Sequence, residues 1–177
     1  MAIVVVERDF EVPAVFEDVA AQEEAFAWCL EENGVNFLHT YFAIDKKKMV
    51  CVYNAPDAEA VRRTQRQAAM PVTTIWSAET LIADGATAPR PDGSRAIVVV
   101  ERKFPETIAL DQMRQMLKNN EWCFTANAVD VVDTYVTPSC DSTICVFTAP
   151  DAEAVRKANR TLKLPAQRVW SATFLTP

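Results

Sequence analysis

The side chain with the most distinctive chemistry in this sequence is its single histidine, His39, which precedes Tyr41 by two positions. Imidazole is the commonest transition-metal ligand in proteins and titrates near neutral pH, so His39 is a candidate metal ligand or general base. A nickel or zinc site takes about three or four ligands, and Glu7, Tyr41 and Cys51 are the candidates to join His39. They can do so only if neighbouring strands turn these side chains to one face. The alternative is a hydrogen-bonded, half-exposed strand histidine.

Other sequence signatures of catalysis or metal binding are absent. No HxH, HxxxH or CxxC spacing supports the metal interpretation. No glycine-rich phosphate loop, dinucleotide fingerprint or pair of catalytic carboxylates is present. The pair Glu7-Arg8 ends an apolar run, and one of its two side chains must point to the interior of a sheet, because adjacent strand residues face opposite ways.

The two halves of the chain carry the same sequence pattern. Residues 2–8, Ala-Ile-Val-Val-Val-Glu-Arg, recur 94 positions later as residues 96–102, and no gap is needed between the halves. The histidine is not repeated, because Asp133 stands 94 positions after His39. A site built on His39 is therefore complete in one repeat only, unless Asp133 substitutes as an oxygen ligand. The tryptophans recur too, and we expect all four in the core: Trp28, Trp76, Trp122 and Trp170.

Each repeat follows the order strand, helix, strand, strand, helix, strand. The β-branched run at residues 3–6 predicts a strand, and apolar residues at three- to four-residue spacing from Phe16 onward predict a helix. A hairpin follows across residues 37–53, then a second helix, and a last strand at residues 73–81. This is the split βαβ, ferredoxin-like order. We predict an α+β fold with two ferredoxin-like βαββαβ repeats packed sheet to sheet as a pseudo-dimer.

The predicted domain boundaries follow the repeat. The first ferredoxin-like repeat covers residues 1–83, the second covers residues 96–177, and a linker rich in proline and glycine joins them at residues 84–95. Covering the open sheet face of one repeat with the other makes an intramolecular pseudo-dimer. A homo-oligomer of the whole chain is a further option that the sequence leaves open.

The charge balance argues against nucleic-acid binding. The net charge is −6 and lies in the first repeat, whereas nucleic-acid binders are basic. No apolar run approaches the ~20 residues of a membrane helix, and the N-terminal stretch lacks the basic region of a signal peptide. We expect a cytoplasmic protein with neither a nucleic acid nor a membrane as partner. Lys46, Lys47 and Lys48 are expected in the polar hairpin turn.

The five cysteines do not resemble a disulfide framework. Four lie at repeated positions on apolar elements and should be buried and reduced: Cys29, Cys51, Cys123 and Cys145. The fifth, Cys140, lies in a Pro-Ser-Cys-Asp turn and should be the most accessible thiol.

Three segments resemble a known family. They are Val-Glu-Arg-Asp-Phe at residues 6–10, Phe-Leu-His-Thr-Tyr at residues 37–41, and Cys-Val-Tyr-Asn-Ala-Pro at residues 51–56. The chain resembles the nickel-responsive, ferredoxin-like family first catalogued as a domain of unknown function, which is similar to dimeric α/β-barrel proteins. The resemblance implies nickel or another divalent transition metal as the bound group. This chain departs from the family by carrying two modules, the second without the histidine.

These observations lead to three functional hypotheses. The first is a protein that binds a metal ion, nickel among the candidates, or a small ligand. The second is a cofactor-independent enzyme of the monooxygenase or isomerase type, which acts on a hydrophobic molecule in a barrel cavity where Glu7, His39 and Tyr41 converge. The third is a structural or assembly module with no ligand.

Overall fold

The computed structural model describes residues 1–81 and 94–177, so the predicted linker at residues 84–95 lies almost entirely outside the described residues. The first repeat contains β1 (Ala2–Asp9), α1 (Phe16–Ala25), α2 (Ala27–Glu32), β2 (Asn36–Ala43), β3 (Lys48–Ala55), α3 (Ala58–Gln67) and β4 (Thr74–Thr80). The second contains β5 (Ala96–Lys103), α4 (Leu110–Ala126), β6 (Asp130–Val136), β7 (Ser142–Ala149), α5 (Ala152–Leu162) and β8 (Arg168–Leu175).

Each repeat forms a four-stranded antiparallel sheet, and the two sheets have the same strand order. In the first, the strand order is β4-β1-β3-β2, and in the second it is β8-β5-β7-β6. The first and last strands of each repeat lie side by side, as the split βαβ order requires. The α+β class and the two ferredoxin-like repeats predicted from the sequence are confirmed.

The chain divides into two compact units. One comprises Met1–Ala78 together with Thr173–Pro177, and the other comprises Glu79–Ala172. In the second unit, Glu79 and Thr80 pair with Val136 and Tyr135 of β6.

Each unit has its own apolar core between the sheet and the helices. In the first unit, Val4 and Val6 of β1 pack with Cys51 and Tyr53 of β3 and with Val61 of α3. The second unit uses the equivalent positions in β5, β7 and α5. The middle of β1 is fully buried on both faces, which accounts for its continuous run of valines rather than an alternating pattern.

The second helix of each repeat begins at an aspartate cap. Asp57 accepts a hydrogen bond from the backbone N–H of Ala60 at 2.8 Å, and Asp151 does the same for Ala154 at 2.8 Å. These bonds satisfy backbone donors that have no partner within the first turn. The cap explains why the same Pro-Asp-Ala-Glu segment opens both helices.

The first helical segment differs between the repeats. In the second repeat it is one helix, α4, of 17 residues. In the first it is interrupted at Phe26, which separates α1 from α2 and has φ −107° and ψ 8°. None of the described helices is both long and apolar enough to span a membrane.

Two expectations from the sequence are wrong, one about the core and one about the hairpin turn. Trp28 and Trp122 are exposed on α2 and α4, so their recurrence does not reflect burial. Lys48 is not in a solvated turn but begins β3 with a buried side chain, since its ammonium is paired with Glu7. The cysteine expectation is confirmed, because the four repeated thiols are buried and free while Cys140 is partly exposed.

Candidate functional site

Strand register decides which of the predicted site residues lie together. Val52 of β3 pairs with His39 on one side, and Val50 pairs with both Glu7 and Tyr41. Directly paired residues point to the same side of a sheet. His39, Glu7 and Tyr41 therefore share the sheet face that points away from the helices, here called the open face.

Cys51 lies on the opposite face. It pairs with Val6 of β1 and Thr40 of β2, and it packs in the core beneath the helices. Its thiol is separated from His39, Glu7 and Tyr41 by the sheet itself. Among the described residues, no group of three or more histidine, cysteine, aspartate and glutamate side chains is gathered for a metal ion.

Glu7 is held by three donors. Its carboxylate accepts hydrogen bonds from Trp76 Nε1 at 3.0 Å, Thr74 Oγ1 at 3.1 Å and Lys48 Nζ at 3.2 Å. The tryptophan contact recurs in the second repeat, where Glu101 accepts from Trp170 Nε1 at 2.8 Å. Because the second repeat keeps this pair without the histidine, the glutamate–tryptophan bond belongs to the framework of the fold.

His39 lies in an aromatic environment on the open face. Its ring centroid is 5.1 Å from that of Tyr41 and 5.2 Å from that of Phe174, which belongs to the same compact unit. Burial lowers the pKa of His39 from 6.5 to about 4, because the charged imidazolium loses water contacts. The imidazole is therefore neutral at physiological pH, which is the form that binds metals and that serves as a base.

A concave feature of the first unit lies on the other side of the same sheet. A cavity of about 450 Å³ opens between the sheet and the helices α1, α2 and α3. Its wall is mainly apolar and includes Val19, Phe26, Leu30, Met49 and Leu175. We call it the helix–sheet cavity.

Two buried polar side chains reach this cavity from the sheet. Arg8 is fully buried and donates from Nη1 to the Pro71 carbonyl at 2.5 Å and from Nη2 to Gln65 Oε1 at 2.7 Å. Thr40 is buried too, and its hydroxyl has no hydrogen-bond partner among the described residues. The arrangement is an apolar enclosure with a cationic group and a free hydroxyl in its wall.

The described part of the second repeat leaves much less space between its sheet and its helices. The equivalent space measures about 40 Å³. Met113 and Phe124, which stand at the positions of Val19 and Leu30, are among its lining residues. The two repeats share their framework and differ here in the size of these side chains and in the helix interruption at Phe26.

The sequence pattern predicts neither the helix–sheet cavity nor its polar residues. In that pattern Arg8 is one half of a Glu-Arg pair, and Thr40 has no assigned role. A signal was present, since Arg102 and Thr134 repeat both residues. The smaller side chains of Val19 and Leu30 gain a meaning only once both are known to face the same side of the sheet.

The fold of the chain can be compared with solved structures. It is similar to structures of the dimeric α/β-barrel class, among them chlorite dismutase from Candidatus Nitrospira defluvii in complex with imidazole, at TM-score 0.57 and 10% identity over 99% of this chain and 91% of that one. A heme-binding protein from Thermus thermophilus matches at TM-score 0.53 and 9% identity over 98% of this chain and 91% of that one. These likenesses concern the fold alone.

The chain belongs to the family described as "Nickel responsive protein SCO4226-like", whose profile matches residues 5–77 and 99–171. The two matches confirm the tandem repeat and the family resemblance seen in the sequence. The structure of SCO4226 from Streptomyces coelicolor A3(2) matches at 18% identity and TM-score 0.39, over 42% of this chain and 91% of that one. No curated protein matches the chain.

Proposed function

We propose that this protein binds a small, largely apolar molecule in the helix–sheet cavity of its first repeat. The observation that carries the proposal is the contrast in the space between sheet and helices, which measures about 450 Å³ in the first repeat and about 40 Å³ at the equivalent place in the second. Ligand sites are typically clefts of about 300–1,000 Å³ with apolar walls and a few polar groups. The second repeat then serves as a closed structural partner.

The wall chemistry favours binding over catalysis. The described lining residues include no histidine, aspartate or cysteine, and the one carboxylate side chain among them, Glu24, is exposed. His39, Glu7 and Tyr41, which the enzyme hypothesis brings together around a substrate, face away from this cavity. A general acid or base must lie within hydrogen-bonding reach of the reacting group, and these three side chains are on the wrong side of the sheet to reach a molecule in the helix–sheet cavity.

Exchange of side chains between the repeats tests the proposal. V19M/L30F installs the larger apolar residues that the second repeat carries at these positions and should weaken binding of a neutral apolar probe, N-phenyl-1-naphthylamine, measured by fluorescence titration. Unchanged circular dichroism shows that the variant is folded. The reverse exchange, M113V/F124L, should add a second binding site without weakening the first. Unaltered probe affinity in V19M/L30F would contradict the proposal.

A nickel site at His39 is the second candidate. The neutral imidazole and the family description support it. The donor set of the described residues fits a metal only in part, because the Glu7 carboxylate is already held by three donors and Cys51 lies behind the sheet. His39 would supply the nitrogen, and Tyr41, whose ring centroid is 5.1 Å from that of His39, is an oxygen candidate on the same face. A bound nickel ion would supply Lewis acidity there.

A further inference from the structure

We infer that copies of this chain associate through two helical surfaces, with the surface around Trp28 of one copy packed against the surface around Trp122 of another. The Trp28 surface is the exposed side of α1 and α2, and the Trp122 surface is the exposed side of α4 and α5. Association through these surfaces does not depend on a ligand in the helix–sheet cavity.

The exposure of the two tryptophans is the first observation. Trp28 is 55% exposed and Trp122 is 63% exposed, and they occupy equivalent positions in the two repeats. The other repeated pair, Trp76 and Trp170, is half-buried and donates hydrogen bonds to glutamates of the framework. Tryptophan is enriched at the energetic centres of protein interfaces, where its large apolar ring leaves water. Contact with another molecule therefore accounts for the recurrence of Trp28 and Trp122, which burial in the fold does not.

The charges of the two surfaces decide which of them pair. The helices α1 and α2 carry six carboxylates and no lysine or arginine, and the exposed Glu31 and Glu32 follow Trp28 on its side of α2. The helices α4 and α5 together carry five basic and three acidic side chains. The exposed Lys118 precedes Trp122 by four positions, on the same side of α4.

Opposite charge selects a second copy of the chain as the occupant of each surface. Two acidic Trp28 surfaces repel each other, whereas an acidic surface and a basic one attract, which favours the unlike pairing. Every copy carries both surfaces, so the chain supplies its own complementary partner. Loss of either tryptophan should then prevent self-association while the other surface stays intact.

Sedimentation velocity of the full chain over a range of concentrations tests this pairing. We expect the wild-type protein to self-associate, and Trp28→Ser and Trp122→Ser each to weaken association about 30-fold or more, as loss of a central interface tryptophan does. An equimolar mixture of the two variants should regain association, because each supplies the surface that the other has lost. The control Ile44→Ser changes an apolar side chain that is 67% exposed in the β2–β3 turn and should leave association unchanged.

Unchanged circular dichroism shows that the variants are folded, as expected for substitutions of exposed side chains. A wild-type protein that stays monomeric overturns the inference. So does a Trp122→Ser variant that associates as tightly as the wild type, because like surfaces would then be paired. A mixture that stays monomeric, or an equal effect of Ile44→Ser, excludes a specific contact between the two tryptophan surfaces. Added salt should weaken association by screening the charges, and association insensitive to salt overturns the pairing of acidic with basic surfaces.

Discussion

Replacing Glu7 by glutamine should destabilise the protein because it leaves a buried ammonium facing an amide. The Lys48 side chain is 4% exposed and the Glu7 side chain 19%, with 3.2 Å between Nζ and Oε2. Glutamine preserves shape and can still accept from Trp76 and Thr74 through its amide oxygen. The loss is therefore confined to the ion pair.

The magnitude lies between two known limits. Breaking a buried ion pair costs about 3–5 kcal/mol, whereas an exposed pair contributes about 0.2–1 kcal/mol. Glu7 is partly exposed, and Asp9 remains 3.4 Å from the ammonium as a second acceptor. We expect Glu7→Gln to lower the free energy of unfolding by about 2 kcal/mol, which shifts a urea midpoint by roughly 1 M.

The second repeat supplies the control. In the second repeat Ser142 stands at the position of Lys48, and Glu101 instead lies 3.9 Å from Nε of Arg168, whose side chain is half-exposed. Glu101→Gln should therefore cost less than about 1 kcal/mol. Adding Lys48→Met to Glu7→Gln should recover stability, since the buried charge is removed. Urea unfolding, followed by tryptophan fluorescence, measures the stability of Glu7→Gln, of Glu101→Gln and of the double variant with Lys48→Met. Equal losses of unfolding free energy at Glu7 and Glu101, or no recovery in the double variant, would refute the reasoning.

Two further predictions concern His39 and the thiols. If nickel binds at the open face, His39→Ala should abolish the heat of nickel binding in calorimetry, while Asp133→Ala should retain most of it. Because the pKa of His39 is lowered to about 4, nickel binding should persist to about pH 5 and be lost near pH 4, where protons compete with the metal. A loss of binding that begins near pH 6.5 would show that the imidazole is not buried. Cys140 should react first with a thiol reagent under native conditions, whereas Cys29 and Cys51 should react only on unfolding. Mass spectrometry of labelled peptides measures the order of labelling, and early labelling of Cys29 or Cys51 would contradict the prediction.

The architecture could be predicted because local patterns and the repeat agree. The valine run of β1 requires burial on both sides, and the Asp57 cap marks a helix start whatever surrounds it. Two gapless copies of one module leave little choice of topology. These features depend on neighbours in the chain, which the sequence contains directly.

The composition of the open face depended on one irregularity in β2. Phe37 pairs with Tyr53, but His39 pairs with Val52, so Leu38 is an extra residue in the strand. Simple alternation from Phe37 would turn His39 toward the helices and Cys51. The bulge reverses that parity and sets His39 beside Glu7 and Tyr41.

The helix–sheet cavity depended on tertiary structure alone. Nothing local distinguishes Val19 and Leu30 from their counterparts Met113 and Phe124, since all four are apolar helix residues. The difference in side-chain volume changes the space between helix and sheet only where the helix packs against the sheet. Composition and periodicity therefore determined the elements and their order, whereas packing decided where space remains and which buried polar groups border it, because volume is a property of facing elements and not of any one segment.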